Sequence, residues 1–331
     1  MKQKWCAVLL AVLTVGSLLT GCGGKSGGGT KVRLNEVTHS VFYAPQYAAM
    51  ELGYFADEGL EIELTNGGGA DKVMTAVVSG QSDIGLAGGE SCIYVYNQGK
   101  ADYPRIFAQL TKRDGSFLVG RTDGPFAWED LRGKTIIGGR LGGMPEMTLE
   151  YVLRQNGLEP GRDVNVDTSV QFNMMAGAFT GGSGDYVALF EPSATKVVQE
   201  GQGYILCSLG EESGDVPYTC YFASQSYLKD HADVVQKFTN AIARGQKWVA
   251  EHTDEEVARV IAPQFPDTDV AVVAEVVGRL RSIGAWNTTP VMESSAWERV
   301  ESIMIGAGQL SEKDRVPFET LVTNEFAGKA K

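Results

Sequence analysis

The stretch Val32-Arg33-Leu34-Asn35-Glu36-Val37 followed by Tyr43-Ala44-Pro45-Gln46-Tyr47-Ala48-Ala49-Met50-Glu51-Leu52-Gly53 and then Leu60-Glu61-Ile62-Glu63-Leu64 sets the fold class. It reads as strand, helix, strand. The helix offers Tyr43, Tyr47, Met50 and Leu52 to an apolar face, and Gly53 stops it. The pattern then repeats: Asp71 to Val78 reads as a helix ended by Ser79-Gly80, Asp83 to Ala87 as a third strand, and Ser91 to Asn97 as a short helix. Strand and helix in alternation imply right-handed crossovers and a parallel sheet.

Two further apolar segments, Arg105 to Leu110 and Phe117 to Arg121, are separated by Lys112-Arg113-Asp114-Gly115. A second α/β unit follows, with strands expected at Thr135 to Gly138, Val164 to Val170, Tyr186 to Phe190 and Tyr204 to Cys207, and a helix from Pro145 to Gln155. Tyr218 to Ala223 reads as a strand leading back out of this unit. From Ala232 the chain is nearly all helical, with Thr253 and Glu256 in capping-box spacing and Ser294 or Ser295 placed to cap a late helix. The expected organisation is a first, discontinuous lobe of residues 32–115 and 220–331, and a second lobe of residues 116–219. Open parallel sheets bind ligands beyond the carboxyl ends of their strands, so the residues just after each strand are the ones to examine.

The N-terminus carries a different signal. Lys2 and Lys4 precede an apolar run from Val8 to Leu19, which is short for a membrane span. Leu19-Thr20-Gly21-Cys22 then resembles the lipobox of bacterial lipoproteins, which implies cleavage after residue 21 and a lipid anchor on Cys22. Gly23-Gly24-Lys25-Ser26-Gly27-Gly28-Gly29 is composed as a flexible tether, taken as part of residues 22–31. The working part of the chain is therefore expected at the extracytoplasmic face of the cell membrane, held there by acyl chains. After residue 30 no apolar run is long enough to span a bilayer.

The chain has 331 residues, 43% of them hydrophobic and 21% charged, enough for two lobes of ordinary size. Its formal charge is -12, or -14 once Lys2 and Lys4 leave with the leader (-12 minus 2). That balance argues against nucleic acid and against docking on anionic lipid. Of five cysteines, Cys92, Cys207 and Cys220 remain beyond the leader and anchor; no pair has C-x-x-C spacing, and buried free thiols are expected.

Several elements together resemble a known family. Tyr43 to Ile62, and within it Leu52-Gly53-Tyr54-Phe55 and Glu58-Gly59-Leu60, is similar to the opening of the solute-binding proteins that serve importers of sulfonates, nitrate and thiamine pyrimidine precursors. Val78-Ser79-Gly80-Gln81-Ser82-Asp83-Ile84-Gly85, Trp128-Glu129-Asp130-Leu131-Arg132-Gly133-Lys134 and Phe190-Glu191-Pro192 match further elements in order and spacing. The resemblance runs from about residue 32 to residue 250. It implies a type II periplasmic-binding fold, two α/β lobes around a ligand cleft with a helical C-terminal tail. It further implies a monomer that closes on a small solute and passes it to the permease and ATPase subunits of an ABC importer. No cofactor and no metal is implied.

Candidate ligand-binding residues follow from the strand ends. Thr38, His39 and Ser40 lie between the first strand and the Tyr43 helix, at a helix N-terminus where hydroxyls and amides can meet a ligand. His39 can equally serve as a capping or surface residue. Gly68 and Asp71 follow the second strand in Asn66-Gly67-Gly68-Gly69-Ala70-Asp71, where glycines allow close backbone approach. Gly89 and Glu90 follow the third; Glu90 either receives a ligand N–H or favours its helix N-terminus. In the second unit, Arg140 and Gly142 sit in a glycine-rich turn, where Arg140 offers a fork for sulfonate or carboxylate, or an interlobe salt bridge. Gln171, Phe172 and Glu191 follow later strands, and Tyr43, Phe172 and Tyr218 are flat enough to stack on a planar ligand. Arg140 suits a sulfonate; Glu90, Asp71 and Glu191 suit a ligand rich in N–H groups, such as an aminopyrimidine, and three acids against one base favour a neutral or cationic heteroaromatic compound over a sulfonate or nitrate.

Catalytic readings are weaker. Gly133-Lys134-Thr135 imitates the end of a P-loop, but Trp128 stands where its first glycine is required. No G-x-S-x-G element occurs, and no His, Cys and carboxylate cluster has metal spacing. The alternatives are a fold-related enzyme similar to thiamine pyrimidine synthase, whose cysteine-rich motif has no counterpart here, and a sensory lipoprotein without transport.

Overall fold

The computed structural model describes residues 29–330, so the leader and Cys22 lie outside the described residues. The chain enters through β1 (Thr30–Glu36), and Thr30 and Lys31, expected in the tether, already pair with Leu60 and Glu61. Ser40 then caps a 3₁₀ turn, Val41–Tyr43, accepting from the Phe42 amide at 3.2 Å. This turn runs into α1 (Ala44–Glu51), whose Pro45 sits in the first turn, where no intrahelical donor is needed. Gly53, at φ 76°, ends the helix in a left-handed conformation that costs a glycine little.

The rest of the first unit is α2 (Tyr54–Asp57), β2 (Leu60–Asn66), α3 (Ala70–Val78), β3 (Ile84–Ala87), α4 (Glu90–Asn97) and β4 (Pro104–Thr111). The second contains β5 (Ser116–Gly120), β6 (Thr135–Ile137), α5 (Met144–Gln155), β7 (Asn165–Asp167), α6 (Met175–Thr180), β8 (Tyr186–Phe190), α7 (Ser193–Gln199), β9 (Tyr204–Ser208) and α8 (Leu209–Ser213). The chain returns in β10 (Thr219–Ser224) and finishes in α9 (Gln225–Asp230), α10 (Ala232–Glu251), α11 (Asp254–Ile261), α12 (Val270–Ser282), α13 (Ser294–Gly306) and α14 (Phe318–Leu321).

Each unit is one five-stranded sheet, ordered β2-β1-β3-β10-β4 and β7-β6-β8-β5-β9. The sheets are mixed, which corrects the expectation of a parallel sheet. β10 runs antiparallel between β3 and β4, and β5 antiparallel between β8 and β9. The reason is topological: these two strands arrive from the other sheet rather than through a helix, so no right-handed crossover fixes their direction. The two passages lie side by side, Val216 donating its amide to the Lys112 carbonyl at 2.7 Å and Arg113 pairing with Asp215 at 2.6 Å. Thr111 and Thr219 meet at their hydroxyls where the passages enter the first sheet.

Local differences from the sequence reading are small. β7 keeps three residues of the seven expected, and α13 begins at Ser294 with Glu293 as its cap position, so neither Ser294 nor Ser295 caps it. The Thr253 and Glu256 capping box is formed, with reciprocal bonds of 3.3 and 2.9 Å. Among the described residues, no helix is long and apolar enough to cross a membrane.

The tail holds to the first sheet through α10, which lies along α1. Gly245 makes that approach possible: a Cβ there would stand 2.2 Å from the Pro45 carbonyl oxygen. Replacing a helix-interior glycine by alanine usually stabilises, because glycine loses more freedom on folding. Here Gly245→Ala is expected to destabilise by about 1–3 kcal/mol through overpacking. Urea denaturation measures it, and a raised midpoint would contradict this close packing.

Candidate functional site

The carboxyl ends of β1, β3, β6 and β8 and their following loops meet between the two sheets. Four contacts draw the units together there. Ser40 donates its hydroxyl to the Glu191 carbonyl at 2.6 Å, and the Tyr94 hydroxyl donates to the Gly142 carbonyl at 2.9 Å. Arg140 pairs with Asp71 at the rim, both side chains about half exposed (47% and 53%). Deeper in, Arg279 of α12 reaches the Glu191 carboxylate at 2.5 Å.

These contacts decide several of the candidate residues. His39 has both ring nitrogens engaged, at 2.6 Å from Glu36 and 2.8 Å from the Gln264 carbonyl, so it ties β1 to the tail rather than meeting a ligand. The bond to Glu36 pushes its imidazole above the ordinary value. Ser40 spends its hydroxyl on Glu191 and its lone pair on Phe42. Glu191 is fully occupied by Arg279, the Thr195 amide and the Thr195 hydroxyl. These three side chains are engaged within the protein and frame the cleft. Gln171 and Gly68 are exposed, and Thr38 is half-buried on the bend after β1. Arg140 is the interlobe salt bridge and not a free anion fork.

The residues that the structure does bring together are Tyr43, Gly89, Glu90, Phe172 and Tyr218. Five rings form one continuous wall: Phe42 lies 5.5 Å from Tyr43, 5.7 Å from Phe190 and 5.9 Å from Tyr218, and Phe172 lies 5.5 Å from Phe190. Glu90 opens α4 and is buried. Its carboxyl folds back over Gly88, where a Cβ would stand 1.9 Å from Oε2 and would displace it. Burial pushes the Glu90 carboxyl up to about 7, against the opposing pull of the backbone amides of Glu90, Met144 and Ser91. Met144 opens α5, so Glu90 looks across the cleft at the second unit.

One residue of this group went unnoticed in the sequence. Asp114 lies in the first passage between the sheets and is fully buried. Its Oδ1 accepts the Ser116 amide at 2.7 Å. Burial raises its carboxyl to about 6, with the Ser116 and Tyr218 hydroxyls close enough to pull the other way. Neither hydroxyl reaches hydrogen-bonding geometry. Glu90 Oε2, Asp114 Oδ2, Ser116 Oγ and Tyr218 Oη are all buried without a partner. Buried polar atoms normally find one. β10 pairs Cys220 with Ala87 at the end of β3 and Thr219 with Thr111 at the end of β4, so Tyr218 stands between the turn that leads into Glu90 and the passage that carries Asp114 and Ser116. The signal in the sequence was the pair of predicted strands flanking Asp114, read as no more than a separator.

Glu146, buried at the start of α5, accepts the Gly142 amide at 3.0 Å and is likewise raised by burial to about 7. The cysteines are free thiols; Cys92 and Cys220 are buried and pushed well above their ordinary value by that burial. Among the described residues, no group of three His, Cys, Asp or Glu side chains is placed to hold a metal. The cleft can hold and orient a solute; an activated nucleophile is not among the described residues that line it.

Two lobes, each with the same strand order and joined by paired passages, make the fold of a periplasmic binding protein, with the aromatic and acidic cluster in its cleft. The chain belongs to the NMT1/THI5-like family, whose model matches residues 41–256. It is 43% identical over 301 residues to the putative binding protein YtlA of Bacillus subtilis (strain 168), covering 91% of this chain and 90% of that one. Among solved structures, the alkanesulfonate-binding protein SsuA from Xanthomonas axonopodis pv. citri bound to MOPS superposes with a TM-score of 0.71 at 17% identity, covering 89% of this chain and 98% of that one. The periplasmic nitrate-binding protein NrtA from Synechocystis PCC 6803 gives 0.71 at 16% identity, covering 90% and 87%.

The buried acids set a pH dependence. A carboxyl whose folded value is raised holds its proton longer in the native state than in the unfolded one, so stability is greatest below the ordinary value and falls as pH rises through the folded one. For Glu90 that window runs from 4.5 to about 7. Asp114, raised to about 6, and Glu146 add to it, while Tyr43, Tyr94, Tyr218, Cys92 and Cys220 around Glu90 stay neutral because burial raises each of them. The melting temperature of the unliganded protein is expected to fall as pH rises from 4.5 to about 7, and Glu90→Gln to flatten part of the fall. Scanning calorimetry across the range tests this, an unchanged slope in the variant counting against it.

Proposed function

We propose that this protein is the extracytoplasmic solute-binding component of an ABC importer, anchored to the membrane through lipid on Cys22, that captures a small organic solute by hinge closure and does not transform it. The observation that carries the reading is the junction of the two lobes, where five rings pack against one another and four buried polar atoms are left without a partner. The YtlA likeness supports a binding role, and the fold shared with SsuA and NrtA supports an importer. The hinge is assigned to residues 112–115 and 214–218, and the lobes to 32–115 with 220–331 and to 116–219. The solute would bridge the lobes, stabilise the closed form, and present that form to the permease.

The rim pair provides a test. An exposed ion pair contributes about 0–1 kcal/mol, so Asp71→Ala or Arg140→Ala should leave the unliganded stability nearly unchanged. Because the pair joins the lobes, its loss should weaken solute affinity by about two- to fivefold. Thermal-shift screening identifies a stabilising solute and titration calorimetry then compares the variants. A solute that is consumed during incubation would overturn the receptor reading.

A further inference from the structure

We infer that the cleft selects a compact organic cation bearing at least two N–H donors, of the amidine, guanidine or primary amine class, and that Asp114 with Glu90 determines this selectivity. The inference rests on the receptor reading and names the solute class of that same site. Three observations converge on it.

The first is the sign of the open hydrogen-bonding capacity. Glu90 Oε2 and Asp114 Oδ2 are carboxyl oxygens, buried and without partners. An oxyanion brought to this spot would oppose ionisation of the two acids and find only neutral O–H donors, whereas an N–H group satisfies each carboxylate oxygen directly. Ser116 and Tyr218 carry hydroxyls that turn to suit whichever group arrives.

The second is where the basic residues went. The arginines nearest the cleft are already committed, Arg140 to Asp71 and Arg279 to Glu191 and Glu275. Glu191 is thereby neutralised by the protein's own cation, while Glu90 and Asp114 have none. Glu90 and Asp114 thus await a positive group from outside the chain.

The third is the wall beside them. Tyr43, Phe172, Phe190 and Tyr218 offer ring faces in the same cleft. A desolvated cation is attracted to such faces, and a planar amidinium also stacks on them. A cation beside them favours the ionised form of both buried acids, so Glu90 and Asp114 give up their protons to it and add an attraction that a neutral ring does not gain.

The experiment screens the full folded chain by thermal shift against four sets. These are amidines, guanidines and amines represented by benzamidine and agmatine; taurine and nitrate; a neutral aminopyrimidine; and a broad metabolite library. The inference expects stabilisation by members of the first set. In calorimetry, Asp114→Asn and Glu90→Gln should each weaken that binding by about ten- to a hundredfold, the worth of a charge-assisted hydrogen bond. Both changes keep side-chain shape, and Asp114→Asn keeps the oxygen that accepts from Ser116; Glu90→Gln serves alone should the other fail to fold by circular dichroism. Stabilisation by taurine, nitrate or the aminopyrimidine with inert cations overturns the charge assignment and leaves the receptor reading intact. Cations that bind both variants as tightly as the wild type overturn the role of Asp114 and Glu90. A chain that no solute in any set stabilises overturns the receptor reading, and this inference with it.

Discussion

Glu36 is the group on which the architecture depends. It stands at the carboxyl end of β1 with no solvent exposure, and a carboxyl in that position is tolerable only when its oxygens are satisfied. One oxygen meets His39 at 2.6 Å; the other accepts from Gln46 and Tyr47, each at 2.8 Å. Gln46 in turn accepts from Tyr221 of β10 at 2.9 Å, and His39 reaches the Gln264 carbonyl beyond α11. A single buried acid thereby fixes the first strand, the first helix, the returning strand and the tail against one another. Because Ser40, Phe42 and Tyr43 lie between its partners in sequence, the same network sets where the loop presents itself to the cleft. Removing one member would leave a buried polar group without a partner, which is costlier than the bond alone.

The second lobe is joined to the first by the two passages, the Ser40 and Tyr94 hydrogen bonds, the exposed Asp71–Arg140 pair, the buried Arg279–Glu191 pair and the packing of α5 against α13. One apolar cluster runs through both lobes, from Val32 and Phe42 to Ile137, Met147 and Phe179. Apolar burial and directional bonds act together at this junction, and the exposed ion pair adds least, about 0–1 kcal/mol.

Much of this was legible in the sequence because the local signals agree. Strand and helix alternate from Val32 onward, Gly53 and Gly80 mark helix ends, and both sheets follow from that order. The antiparallel course of β5 and β10 was not legible, since both read as ordinary apolar strands and their direction is set by a partner more than a hundred residues away in the case of Thr111 and Thr219. At the junction of the lobes, sequence position pointed to loops that the fold brings together, while the bonds that engage their side chains were not legible. His39, Ser40 and Glu191 follow strands as ligand residues would, yet each is consumed by a distant group, Gln264 for His39 and Arg279 for Glu191, that no local pattern announces. Asp114 shows the converse, a residue hidden between two strands that the sheet topology carries into the base of the cleft.

The contrast between Glu36 and the pair Glu90 and Asp114 is then informative. All three are buried acids, and the protein that supplies three donors to Glu36 leaves an oxygen of each of the others bare. An unsatisfied buried polar atom costs about 1–3 kcal/mol, so leaving Ser116 and Tyr218 bare beside them adds a penalty comparable to the total stability of a typical domain. Such a cost is concentrated at one place, between lobes that can part and let water in. Opening the cleft relieves it, and so does a solute that supplies the missing donors. The same unpaired atoms are the ones that the proposed solute would complete.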